Sequence, residues 1–162
     1  MKIKAVLEDI LKVEEGLEDL YRTFAERFED DEELSELFRQ LSYEEKSHAD
    51  LVRFQLDLGR HKPERFDGID VNWAGVQGTL GEIEKARETA HRVDDALTSA
   101  LIFETSNAEQ QMAEVVALCS PGVTDMLDRL SRESGDHFAR LQRLAEKRKA
   151  LVWIDDEEEA RP

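Results

Sequence analysis

Apolar residues recur along this chain at intervals of three and four almost throughout, with only three prolines and eight glycines to interrupt them. Leu7, Ile10, Leu17, Tyr21, Phe24 and Phe28 fall on one stripe of a first helix, and Glu14 sits inside that stripe. Asp30 or Asp31 can cap a second helix, whose stripe runs Leu34, Leu37/Phe38, Leu41, Glu44/Glu45, His48, Leu51/Val52 and Gln55. Between Gly59 and Gly81 the pattern dissolves into Pro63, Gly68, Gly75 and Gly78, with Ile69 and Trp73 as anchors, which reads as a long connection. Residues 82–90 predict a short extra helix. A third helix then follows, capped by Asp94, with Val93, Leu97, Ala100, Glu104, Asn107 and Gln111 on its inner stripe. Ser120-Pro121 has the order of a helix start. The fourth helix aligns Val123, Met126/Leu127, Leu130, Glu133/Ser134, His137, Leu141 and Leu144 and continues towards Trp153.

Four helices joined by short, long and short connections predict an all-α fold. The arrangement is a ferritin-like up-down four-helix bundle with one long crossover connection between helices 2 and 3. The halves echo each other: Glu14 precedes His48 by 34 residues, and Glu104 precedes His137 by 33. Two antiparallel hairpins, 1–56 and 94–151, are therefore expected about a pseudo-twofold axis. The expected domain is a single bundle over 1–151, followed by an acidic tail over 152–162.

The net charge of −16 excludes nucleic acid and anionic membranes as favoured partners, since both would repel the surface. Cys119 is the only cysteine, so one chain builds neither an internal disulfide nor a four-cysteine metal centre, and a reducing cytoplasm is expected. The opening stretch meets charge before any long apolar run, and no later segment reaches membrane-spanning length. Neither export nor membrane insertion is expected.

The glutamates and histidines inside apolar stripes carry the chemistry. An isolated carboxylate in a bundle core is unfavourable by several kcal/mol unless a cation or a full set of hydrogen bonds compensates it. Several that converge imply a positive centre, and a pair of divalent metals supplies one. Carboxylate oxygens bridge the ions and balance their charge, while one imidazole per metal adds a neutral ligand suited to iron and compatible with manganese or zinc. Glu45 and His48, three residues apart, project from adjacent turns of one face, which allows Glu45 to bridge and His48 to terminate.

Over about residues 3–150 the chain resembles the ferritin-like di-iron proteins, most closely the rubrerythrin family. The carriers are Lys12-Val13-Glu14 with Tyr21 seven residues on, Glu45-Lys46-Ser47-His48-Ala49, Glu104 and His137. The resemblance implies metal ligation by Glu14, Glu45, His48, Glu104 and His137, with Tyr21 beside the metals as a catalytic neighbour. It further implies two iron ions that reduce hydrogen peroxide or react with dioxygen, and a homodimer. The family's fourth-helix motif places a glutamate three residues before the histidine; Ser134 stands there, and Glu133 is the nearest substitute ligand. Asn107 stands where the family has an additional third-helix glutamate. The cysteine-rich rubredoxin domain of many relatives has no counterpart, so electrons are expected from a separate donor protein.

Blander readings stand beside these. A glutamate at a stripe position can pair with a core-facing arginine, and Tyr21 can be ordinary packing. His61 and His91 lie outside the pattern and read as surface histidines. Two other classes remain open. One is a structural or metal-binding bundle with a partly decayed second half-site, which Ser134 suggests. The other is a hydroxylase of apolar substrates, against which the lack of a membrane-binding apolar helix counts.

Overall fold

The structure is a computed structural model that describes residues 1–68, Trp73, residues 76–105 and residues 124–148, except the side chains of Arg65 and of residues 124–135. All the described elements are helical: α1 (Ile3–Arg27), α2 (Glu32–His61), a 3-10 turn (Pro63–Arg65), α3 (Gln77–Thr89), α4 (Val93–Glu104) and α5 (Thr124–Lys147). Among the described residues no helix is long and apolar enough to cross a membrane.

The α1 stripe buries as its spacing predicts, from Leu7 and Ile10 through Glu14, Leu17 and Tyr21 to Phe24. Phe28 ends the helix and packs, half-buried, on the same core. Of the two aspartates offered as caps for α2, Asp31 is the one used: its carboxylate accepts from Leu34 N at 3.2 Å, which satisfies a free helix N–H. The same carboxylate pairs with Arg148, so one residue starts α2 and fastens it to the far end of α5. Two serines let α2 approach α1 closely, because each donates to a backbone carbonyl across the seam. Ser35 Oγ reaches Ala25 O at 2.8 Å and Ser42 Oγ reaches Glu18 O at 3.0 Å.

Packing divides the interior into two apolar clusters with a polar layer between them. One cluster joins Val13, Leu17, Tyr21, Phe24, Phe38 and Leu41 to Leu97, Leu101 and Leu141; the other joins Ile3, Val6, Leu7 and Ile10 to Leu51, Val52 and Leu56. On α1 the changeover falls between Ile10 and Val13, beside Glu14. On α2 it falls between Leu41 and Leu51, at Glu45 and His48. Within the first cluster Phe38 meets Phe24 edge-on at 5.1 Å and stacks on Tyr21 at 6.0 Å, which fixes the tyrosine ring at the border of the polar layer.

Several helix ends differ from the sequence expectation. Helix α2 continues past residue 56 to His61, because the Phe66 ring lies directly against Gly59 and rewards the helical path there. Helix α3 starts at Gln77 rather than Glu82, running through Gly78 and Gly81, and docks on α1 where Ile83 meets Gly16. Arg27 secures its far end by donating to Arg87 O and Ala90 O, both at 2.8 Å. Helix α4 starts at Val93, so Asp94 is not the cap. It lies with Asp95 in the first turn, where negative charge complements the helix dipole. Ile69, Asn107, Gln111, Cys119, Ser120-Pro121, Val123, Trp153 and the acidic tail, for which the sequence sets expectations, lie outside the described residues.

A Cβ on Gly59 would overlap the edge of the Phe66 ring. Gly59→Ala gains about 1 kcal/mol of helix propensity, yet it must expel an aromatic side chain from the second cluster, at about 1–3 kcal/mol. A net lowering of the urea midpoint is therefore expected. A midpoint at or above the wild-type value would show that Phe66 contributes nothing to holding the end of α2.

Candidate metal centre

Four helices each bring side chains to the polar layer. Helix α1 contributes Glu14, α2 contributes Glu45 and His48, α4 contributes Glu104 and α5 contributes His137; all five are buried. Each stands at an inward position of its helix that an apolar residue would otherwise occupy, so folding the apolar stripes together brings the polar groups together.

Among the described residues two carboxylate-and-imidazole sets result, and they share one residue. Glu14, Glu45 and His48 offer ligand atoms that all lie within 4.8 Å of one another, and so do Glu45, Glu104 and His137. Glu45 Oε2 is 2.9 Å from His48 Nδ1, while its Oε1 is 3.5 Å from His137 Nδ1, so its two oxygens face different imidazoles. Glu14 Oε2 lies 3.5 Å from His48 Nδ1, and Glu104 Oε2 lies 3.2 Å from His137 Nδ1. The imidazole rings stack with centroids 5.9 Å apart. Tyr21 donates its hydroxyl to Glu104 Oε1 at 2.8 Å, which places the tyrosine of the sequence expectation against a carboxylate of the centre.

The electrostatics show how strongly these groups need cations. Burial opposes a charge on His48, but Glu14 and Glu45 overcome it and push its pKa up to about 11. His137 is raised to about 12 against the same burial, by Glu104, Glu44 and Glu45. Burial also favours the neutral form of Glu45, yet the two histidines hold its pKa far below the usual carboxylate range. Glu14 goes the other way: burial raises it to about 8, with Glu45 adding to the rise and His48 opposing it. Glu104 is raised by burial as well, although His137 and Tyr21 pull it down. In a metal-free protein, protons would thus supply the counter-charge to this cluster.

The residues fit metal ions on a further observation. Among the described residues Glu14 Oε2 and Glu45 Oε1 are buried with no hydrogen-bond donor. An unsatisfied buried acceptor costs about 1–3 kcal/mol, and more when it is charged. Two such oxygens beside two imidazole nitrogens form a donor set for a first-row divalent metal. Glu133 lies on α5 by its backbone, but its side chain and that of Ser134 are outside the described residues. His61 and His91 are exposed and stand apart from the centre.

One neighbour escaped the sequence reading. Glu44 appeared there only as an alternative to Glu45 on the stripe, whereas its Oε2 lies 2.7 Å from His137 Nε2 and also accepts from Arg140. The available signal was Arg140, three residues after His137 on the same helix face.

Comparison with curated proteins and with solved structures gives no match. Residues 5–72, the stretch that holds Glu14, Tyr21, Glu45 and His48, match the family model described as Rubrerythrin, so the rubrerythrin resemblance carried by those residues is borne out.

Proposed function

We propose that the protein is a rubrerythrin-like di-iron protein that reduces peroxide or reacts with dioxygen, drawing its electrons from a separate donor protein. The observation that carries this reading is Glu45, shared between two buried carboxylate-and-imidazole sets. Glu14, Glu45 and His48 would hold one ion; Glu45, Glu104 and His137 would hold the other, with Glu133 completing the second set. The fold belonging to this reading is the up-down bundle with a single crossover over residues 1–151. It is supported by the tight turn between α1 and α2, the longer path from α2 to α4, and the packing of α5 against both α2 and α4. A cytoplasmic homodimer completes the proposal.

Bound iron would supply the two electrons that break an O–O bond, which zinc, having no redox chemistry, would not. The chain's own contribution is positional. The apolar clusters on either side of the polar layer exclude water from it, which strengthens every charge interaction inside. Tyr21 keeps Glu104 Oε1 occupied, so that Oε2 is the oxygen turned to His137. Reduction of hydrogen peroxide to two waters consumes two protons and two electrons, and Tyr21 is the buried hydroxyl placed to pass a proton at the Glu104 carboxylate.

Anaerobic purification, ferrous loading and addition of hydrogen peroxide test the reading. About two irons per chain are expected, with about one peroxide consumed per pair of ferrous ions oxidised. Less than about half a metal per chain after loading would overturn it. About one metal per chain would instead favour a bundle whose second set is incomplete, the possibility that Ser134 introduces.

A further inference from the structure

The two imidazoles of the centre are backed differently. Among the described residues His48 Nε2 is buried with no hydrogen-bond partner, whereas His137 Nε2 has Glu44 Oε2 at 2.7 Å, close but not aligned as a hydrogen bond. Glu44 is itself anchored. Arg140, one turn beyond His137 on α5, donates Nη2 to the same oxygen at 2.5 Å and Nη1 to Gln40 Oε1 at 3.3 Å. Glu44 and Gln40 stand one turn apart on α2, so the guanidinium bridges adjacent turns of that helix from α5.

We infer that Glu44, steadied by Arg140, is a positioning residue for His137. It fixes the ring so that Nδ1 faces Glu45 and Glu104 while Nε2 carries the hydrogen. The inference rests on the di-metal reading above and adds a residue to it. An imidazole that gives one nitrogen to a metal must keep its hydrogen on the other, and a carboxylate beside that hydrogen sets the tautomer, restrains the ring and makes the ligating nitrogen more basic. Nε2 already lies within 2.7 Å of that oxygen, so turning the His137 ring to aim Nε2–H at it completes the contact. Among the described residues no such group backs His48, so the two metal positions should differ in affinity. Glu44 is also about one-third exposed at its side chain, unlike the fully buried His137, so it can be replaced without opening the core.

Cobalt(II) titration of the full chain, followed by visible absorption and calorimetry, tests this. In Glu44→Ala one of the two cobalt equivalents should weaken by about 10–100-fold, with an altered absorption band for that equivalent, while the other binds as in wild type. Glu44→Gln keeps an oxygen at the same reach and should recover most of the loss. Unchanged binding of both equivalents in Glu44→Ala would overturn the inference. So would equal weakening of both equivalents together with a lowered melting temperature and no rescue by glutamine, the signature of a mere clasp between α2 and α5. Wild-type protein that takes up no cobalt would bring down the di-metal reading itself, which normal wild-type loading beside a silent Glu44→Ala variant would not.

Discussion

Glu45→Ala is expected to abolish both metal equivalents, whereas His48→Ala or His137→Ala should each abolish one. The difference follows from position: Glu45 belongs to both ligand sets, with one oxygen facing each imidazole. Loss of the shared carboxylate also leaves two buried imidazoles without their common counter-charge, and removal of one partner from a buried ionic group costs about 3–5 kcal/mol. An exposed ion pair sets the contrast. Glu15 lies 2.7 Å from Arg53 with both side chains more than 40% exposed, and its loss should cost under about 1 kcal/mol. Metal analysis after loading, together with urea unfolding at neutral pH in the presence of a chelator, measures both effects. A Glu45→Ala protein that retains two metals would end the assignment of Glu45 as the shared ligand.

The interior of α1 and α2 was legible in the sequence because a helix presents its buried face every three or four residues, and a glutamate or histidine on that face is conspicuous. Glu14 and His48 announced themselves in this way. Glu45 did not do so alone, since Glu44 fits the same stripe. The Glu45-to-His48 spacing of the rubrerythrin resemblance separated them, and the structure buries Glu45 fully while leaving Glu44 partly exposed. Glu104 and His137 were legible through the repeated spacing of the two halves, an echo of chain organisation rather than of any local signal.

What stayed hidden depends on how helices are rotated and where they stop. The Glu44 and Arg140 contact joins residues 96 apart in the chain, and no periodicity within one helix encodes it. The end of α2 is not legible in the sequence because Gly59 looks like a stop signal by itself, and only the approach of Phe66 turns its missing side chain into a packing site. The start of α4 is hidden for a different reason: an aspartate suits the first turn of a helix almost as well as the cap, so Asp94 is compatible with either register.

Metal binding should be strongly pH-dependent, with metal loading and folding stability responding in opposite directions. In the metal-free protein His48 and His137, with pKa values of about 11 and 12, and Glu14, at about 8, all hold protons at pH 7. Metals must displace those three protons, so the logarithm of the overall affinity should rise by up to about three per pH unit near neutrality and by about two once Glu14 has ionised. Stability without metal runs the other way. A histidine raised above its ordinary 6.5 stabilises fully below that value, and the contribution is lost as pH climbs through the folded-state pKa. Glu14, raised from 4.5, likewise gives up its contribution between 4.5 and about 8. Glu45, depressed, acts in the usual carboxylate sense, stabilising above 4.5 and failing only as the solution becomes strongly acidic. The cluster therefore stabilises the metal-free fold most near roughly pH 5, and each retained proton costs about 1.4 kcal/mol per pH unit on the alkaline side. Chelated protein should lose melting temperature steadily from pH 6 to 9, while the increase produced by saturating zinc should grow over the same range. Calorimetric titrations in buffers of different ionisation enthalpy count the protons directly. Zinc binding that releases no protons at pH 7, or a melting temperature of the chelated protein that rises from pH 6 to 9, would show that these buried carboxylates and imidazoles do not hold the protons that metals must replace.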